Sequence, residues 1–176
     1  MTTSLPRVSH EHHERLMHHV DTMPEVGSLL LTAPMAELRP RLVELKEFVN
    51  GLLLPHLEAA ERAVYPELER MLQNRHSMAP MRREHEEIRR LAGDLTRLVD
   101  GVGDARPHVS QVVALRRTIY PLYALLEVHL AEEELYIPIV DHEMTEEAAM
   151  VVEAALEHSG IPQRSSGRGA AARRRG

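Results

Sequence analysis

The sequence predicts an all-α protein: a four-helix up-down bundle with a short C-terminal helix and a disordered tail. Three observations carry that expectation. Aromatic residues make up 3% of the chain against 43% hydrophobic residues, and Leu, Ala, Glu, Arg and Met dominate; these favour helix, whereas strands favour aromatic and β-branched residues. Pro and Gly clusters divide the chain into long segments. Inside the segments, apolar residues recur at three- and four-residue steps.

The first segment runs from about Ser9 to Met23 and is expected to stop at Pro24. The second runs from about Met35 to Gln73 and contains Pro40, Pro55 and Pro66. The third, about Ala79 to Val99, shows the period most cleanly: Met81, Ile88, Leu91, Ala92, Leu95 and Val99 alternate with Arg and Glu. It ends at the turn Asp100-Gly101-Val102-Gly103-Asp104. The fourth spans about Pro107 to Val140, with Val112, Ile119, Leu122, Leu126 and Leu130 in step and Pro121 and Pro138 inside it. Four amphipathic helices with modest connections read as a bundle. Prolines within two of them remove backbone bonds and should kink them. A fifth helix, Thr145 to Glu157, closes at Ser159-Gly160. One domain is expected over residues 1–158, with an Arg-rich disordered tail at 159–176.

The chain has no cysteine, which removes disulfides, iron–sulfur clusters, thiolate zinc sites and cysteine nucleophiles. Its N-terminus has no apolar stretch fit for a signal peptide. The longest apolar stretch, Ile119 to Leu126, falls far short of the ~20 residues that span a bilayer. A cytoplasmic protein without membrane contact is expected. Five of the 21 basic residues lie in 161–176, leaving 16 against 27 acids in the rest. An acidic body is a poor partner for nucleic acid, where affinity rests on neutralising phosphates. No protein partner is evident.

The two halves of the sequence repeat one pattern, over about 9–73 and 79–140. HLEAAERAVYP begins at His56 and HLAEEELYIP at His129; upstream lie EHHERL around His13 and EHEEIRRL around His85. His13 and His56 are 43 residues apart, His85 and His129 44. This is a duplicated helix pair, with His on the first helix and His plus carboxylate on the second.

Residues four apart on a helix project about 40° apart, so His129 and Glu133 point at a common spot. His56 has Ala60 at that position and Glu61 one residue later. An offset of five turns a side chain about 140° away. Pro66 removes the helix bond to the Arg62 carbonyl, and a π-type widening there would bring Glu61 round; Glu58 would point to the opposite side. Four histidines and two glutamates suffice for a two-metal centre with an open position. Imidazole suits several transition metals and carboxylates can bridge two ions, which favours iron.

These motifs, taken together, resemble the hemerythrin HHE cation-binding family over about residues 9–140. The resemblance implies a four-helix bundle holding a non-haem di-iron centre, bridged by an oxo or hydroxo group and carboxylates. It implies O2, NO or peroxide as small-molecule partners. Carried onto this chain, it gives His13 on the first helix, His56 with Glu61 on the second, His85 on the third and His129 with Glu133 on the fourth. His12 competes with His13, since both lie near the apolar stripe of Leu16 and Val20. Where oxygen-carrying members have a second histidine one turn before the third-helix ligand, this chain has Met81.

His10, His18, His76, His108, His142 and His158 read as solvated, and Tyr65 and Tyr136 as packing residues beside the prolines. The expected function is a di-iron protein handling small oxidants, through peroxide decomposition or an O2 or NO redox reaction. The alternative is a non-catalytic protein that binds or senses O2, NO or iron. Met81 tilts the expectation towards turnover, because a missing nitrogen ligand leaves an exchangeable position.

Overall fold

The computed structural model describes residues 5–143 together with Met150, Val151, Ala154 and Ala155, with side chains described for 12–136 and those four. Among the described residues all regular structure is helical, in the order α1 (Leu5–Val20), α2 (Met23–Thr32), α3 (Met35–Phe48), α4 (Leu54–Ala59), α5 (Tyr65–Met71), α6 (Ala79–Asp100) and α7 (Val109–Glu143). Two π-helical turns, Val49–Leu53 and Ala60–Val64, join α3 to α4 and α4 to α5, so residues 35–71 form one continuous rod. The expected fifth helix falls mostly outside the described residues, although Met150, Val151, Ala154 and Ala155 are helical. The tail lies outside them entirely.

One expectation about proline needs correction. Pro24 does not close the first helical region. It sits in the first turn of α2, where a backbone N–H has no intrahelical partner and a fixed φ costs nothing. Helix α2 then buries Met23, Val26, Gly27 and Leu30. The second segment runs on through Pro55 and Pro66, and the π-type widening expected at Pro66 is present at Ala60–Val64, with another at Val49–Leu53. The residue before each proline bonds five back instead of four: Leu54 N–H to the Val49 carbonyl and Tyr65 N–H to the Ala60 carbonyl. Each wide turn takes up one extra residue just upstream of the missing donor, and the helix continues.

The 35-residue α7, about 50 Å long at 1.5 Å per residue, is the common element. Helices α1, α2, α5 and α6 all pack against it, and α3 packs on α2 and α6. Its buried stripe Leu115, Ile119, Leu122, Leu126 and Leu130 meets Ile88, Leu91, Ala92 and Leu95 of α6 and Leu16 and Val20 of α1 in the main core. A smaller apolar cluster of Ala59, Ala60, Ala63, Tyr65, Leu68, Met78, Met81 and Ala155 lies beyond it. Between the two sits a set of buried polar side chains. No helix among the described residues is long and apolar enough to cross a membrane.

Candidate metal centre

The six ligand-type residues enter from four elements. His12 and His13 come from the middle of α1, His56 from α4, His85 from α6, and His129 and Glu133 from α7. All six are buried, His85 and His129 completely. Burying so many polar groups is unfavourable unless each finds a partner, and here they are one another's partners.

Glu133 is the hub. Its Oε2 accepts from His56 Nε2 at 2.9 Å and lies 3.2 Å from His13 Nε2. Its Oε1 accepts from the Tyr65 hydroxyl at 2.7 Å and faces His129 Nε2 at 3.5 Å and His85 Nε2 at 3.9 Å. Two groups with ligand atoms within 4.8 Å of one another result: His13, His56 and Glu133; and His85, His129 and Glu133. One carboxylate is common to both, with one oxygen turned to each.

Of the residues expected from the sequence, His13, His56, His85, His129 and Glu133 are therefore brought together. Glu61 belongs to neither group. It is partly exposed, and its Oε1 accepts from His85 Nδ1 at 2.8 Å and from Arg89 Nη1 at 2.9 Å, on the outer side of the imidazole. Glu58 is exposed to solvent. His12 stands behind His56, its Nε2 3.1 Å from His56 Nδ1, so of the adjacent pair it is His13 that reaches the carboxylate. His18, His76 and His108 are exposed as expected, whereas the side chains of His10, His142 and His158 lie outside the described residues.

Two further residues join the site. Tyr65, expected to be mere packing, is 1% exposed and places its hydroxyl 2.9 Å from His85 Nε2 as well as on Glu133. On an unbroken α-helix, nine residues would set Tyr65 about 180° from His56; with one residue taken up by the wide turn, the angle falls to about 80°. The Tyr-Pro pair after HLEAAERAV was the available signal. Glu84, one residue before His85, accepts from His129 Nδ1 at 2.9 Å. Nothing in the sequence marked it among the glutamates of α6.

The electrostatics follow from burial and crowding. Burial and its neighbour His129 lower His85 to about 4, and burial with His56 beside it lowers His12 to about 3; burial lowers His129 as well. These rings are neutral near pH 7. Burial alone would raise Glu133, but His56, His13 and His129 outweigh it and hold the carboxyl well below its usual range. Burial and the adjacent Glu133 push the Tyr65 phenol far up, so it keeps its proton. The buried His13 Nδ1 has no hydrogen-bond partner among the described residues. Neutral imidazoles, an ionised carboxylate able to bridge and no sulfur form a donor set suited to borderline transition-metal cations.

Residues 5–140 match the family model described as the hemerythrin HHE cation binding domain. No curated protein and no solved structure matches the chain.

Proposed function

The chain belongs to the hemerythrin HHE cation-binding family, and from that premise we propose that it holds two iron ions and turns over a small oxidant. The observation that carries this reading is Glu133, whose two oxygens each serve a different pair of histidines. A carboxylate so placed neutralises and joins two cations rather than one. His13 with His56 would hold one ion and His85 with His129 the other, in a di-iron centre of the oxo- or hydroxo-bridged kind. The same reading takes the rods as an up-down four-helix bundle, which the short connections after α5 and α6 support.

Iron, when bound, supplies the redox couple on which peroxide, O2 or NO reacts. The chain's own residues set the conditions. Met81 is 1% exposed and lies with Met78, Ala59, Ala60 and Ala63 in the apolar cluster that contains Tyr65. This wall excludes bulk water on the side where carriers of the family have one more imidazole. In its place Tyr65 holds a proton at its hydroxyl, within hydrogen-bonding distance of both Glu133 and His85. A positioned, protonated phenol can donate to an oxygen atom of a small molecule at the centre, which favours bond cleavage over reversible storage.

The test combines content with chemistry. Protein from iron-grown cells should contain two irons per chain, and Glu133→Ala should lose far more iron than the exposed-site control His108→Ala. Anaerobically reduced protein given O2 and then argon should end oxidised. An oxygenated spectrum that reverses fully over repeated cycles would mean a carrier, and one colourless ion per chain would end the di-iron reading.

A further inference from the structure

The two halves of the centre are backed differently on their outer side. His85 Nδ1–H donates to Glu61, which Arg89 also holds, and His129 Nδ1–H donates to Glu84. An ionised carboxylate only accepts, so both rings carry their hydrogen on Nδ1 and present a bare lone pair at Nε2. Those two nitrogens are 3.0 Å apart. The Tyr65 oxygen, its hydrogen given to Glu133, is 2.9 Å from one of them. Three lone-pair atoms thus face one another with no hydrogen between them, a mutually repulsive arrangement that a cation would relieve.

The other half is arranged in the opposite sense. Arg15 Nη2 donates to His12 Nδ1 at 3.2 Å, so neutral His12 carries its hydrogen on Nε2 and donates to His56 Nδ1. His56 then holds its own hydrogen on Nε2, where it donates to Glu133 Oε2. A cation reaches that nitrogen only after the His12–His56 pair has shifted its protons. His13 Nδ1 has no partner among the described residues.

We infer that the centre is unequal by construction: the His85–His129 half takes and retains a metal ion ahead of the His13–His56 half, with Glu61 and Glu84 acting as positioning residues rather than ligands. This rests on the two-ion reading above. A carboxylate behind a ligand imidazole orients the ring and strengthens it as a donor, and its loss typically costs 10–100-fold in metal affinity. Among the described residues, neither ring of the other half has such a carboxylate.

The experiment loads the full-length chain with two equivalents of Co(II) and withdraws them with a graded chelator. Bound cobalt and the paramagnetically shifted ring N–H signals are followed together. Cobalt should leave in two steps, and the signals that survive the first should be those altered in Glu61→Gln and Glu84→Gln. Those variants should weaken the retained ion by about 10–100-fold and leave the easily lost one unchanged; His12→Phe should alter only the easily lost one. Two ions leaving in a single step would overturn the inference while sparing the two-ion reading. So would carboxylate variants that weaken the first ion lost. A chain that saturates at one ion would overturn both.

Discussion

At the scale of single residues, Tyr65 offers the sharpest test. Tyr65→Phe removes one oxygen and leaves the ring in its apolar cluster, so the fold and both irons should remain. If the phenol donates a proton during turnover, peroxide consumption should fall by about 10²-fold or more; an unchanged rate with full iron would restrict Tyr65 to packing. The histidine positions were readable because two of them recur at matching intervals in a duplicated pattern, and Glu133 was readable from its four-residue offset to His129. Tyr65 was not, because its facing depends on a wide turn that moves it round the helix by about 100°. Glu61 was read as pointing inward for the same local reason, yet its carboxylate is claimed from outside by Arg89 and His85. Which of two neighbours wins a side chain is decided between helices, and no intrahelical spacing reveals it.

At the scale of elements, the π turns make an unusual prediction about deletions. Arg62 is exposed and lies in the turn Ala60–Val64, which carries one residue more than an α-helical turn. Removing it should let the turn close to α-helical pitch while His56 and Tyr65 keep their common face. Removing exposed Glu86 from the regular α6 instead rotates everything beyond it by about 100° relative to His85, which takes Ile88, Leu91 and Leu95 out of the core. Circular dichroism and thermal melts should show a folded protein lacking Arg62, with melting lowered by no more than about 5 °C, and a collapsed or insoluble one lacking Glu86. Equal damage from both would contradict the account of the turn. Helix positions were broadly legible from apolar periodicity. The widened turn before Pro66 was legible from the bond that proline removes; what was not legible was Pro24 as a helix starter and the matching widened turn before Pro55. The same residue type stops, starts or stretches a helix according to the packing available on either side.

At the scale of the whole molecule, the proposed ligands on α1, α4, α6 and α7 would tie metal binding to folding. At a thousandfold excess over the dissociation constant, binding to the folded state alone stabilises it by about 4 kcal/mol. Stripping the iron should therefore lower the melting temperature by about 8–16 °C in a chain of this size. The metal-free protein should also be acid-sensitive in a defined window. His12 and His85 stay neutral in the folded chain down to about 3 and about 4, whereas the unfolded chain takes up protons on them from near 6.5. The unfolded state binds more protons between those limits, so stability rises with pH across the window and is lost on acidification. Melts of the metal-free protein from pH 7 to 4.5 should fall steadily, and a flat profile would place those rings in contact with water. The shared carboxylate has a consequence for the repeats themselves. The second repeat brings His85, His129 and Glu133, but the first brings His13 and His56 with Ala60 where the matching glutamate would stand and Glu61 turned outward. Among the described residues, only the later copy carries an inward negative charge. Two early copies placed face to face would make a nest of neutral rings with nothing to balance a cation, while two late copies would have charge in excess. The duplication has thus become a division of labour in which one half borrows its counter-charge from the other, and the halves can no longer be exchanged.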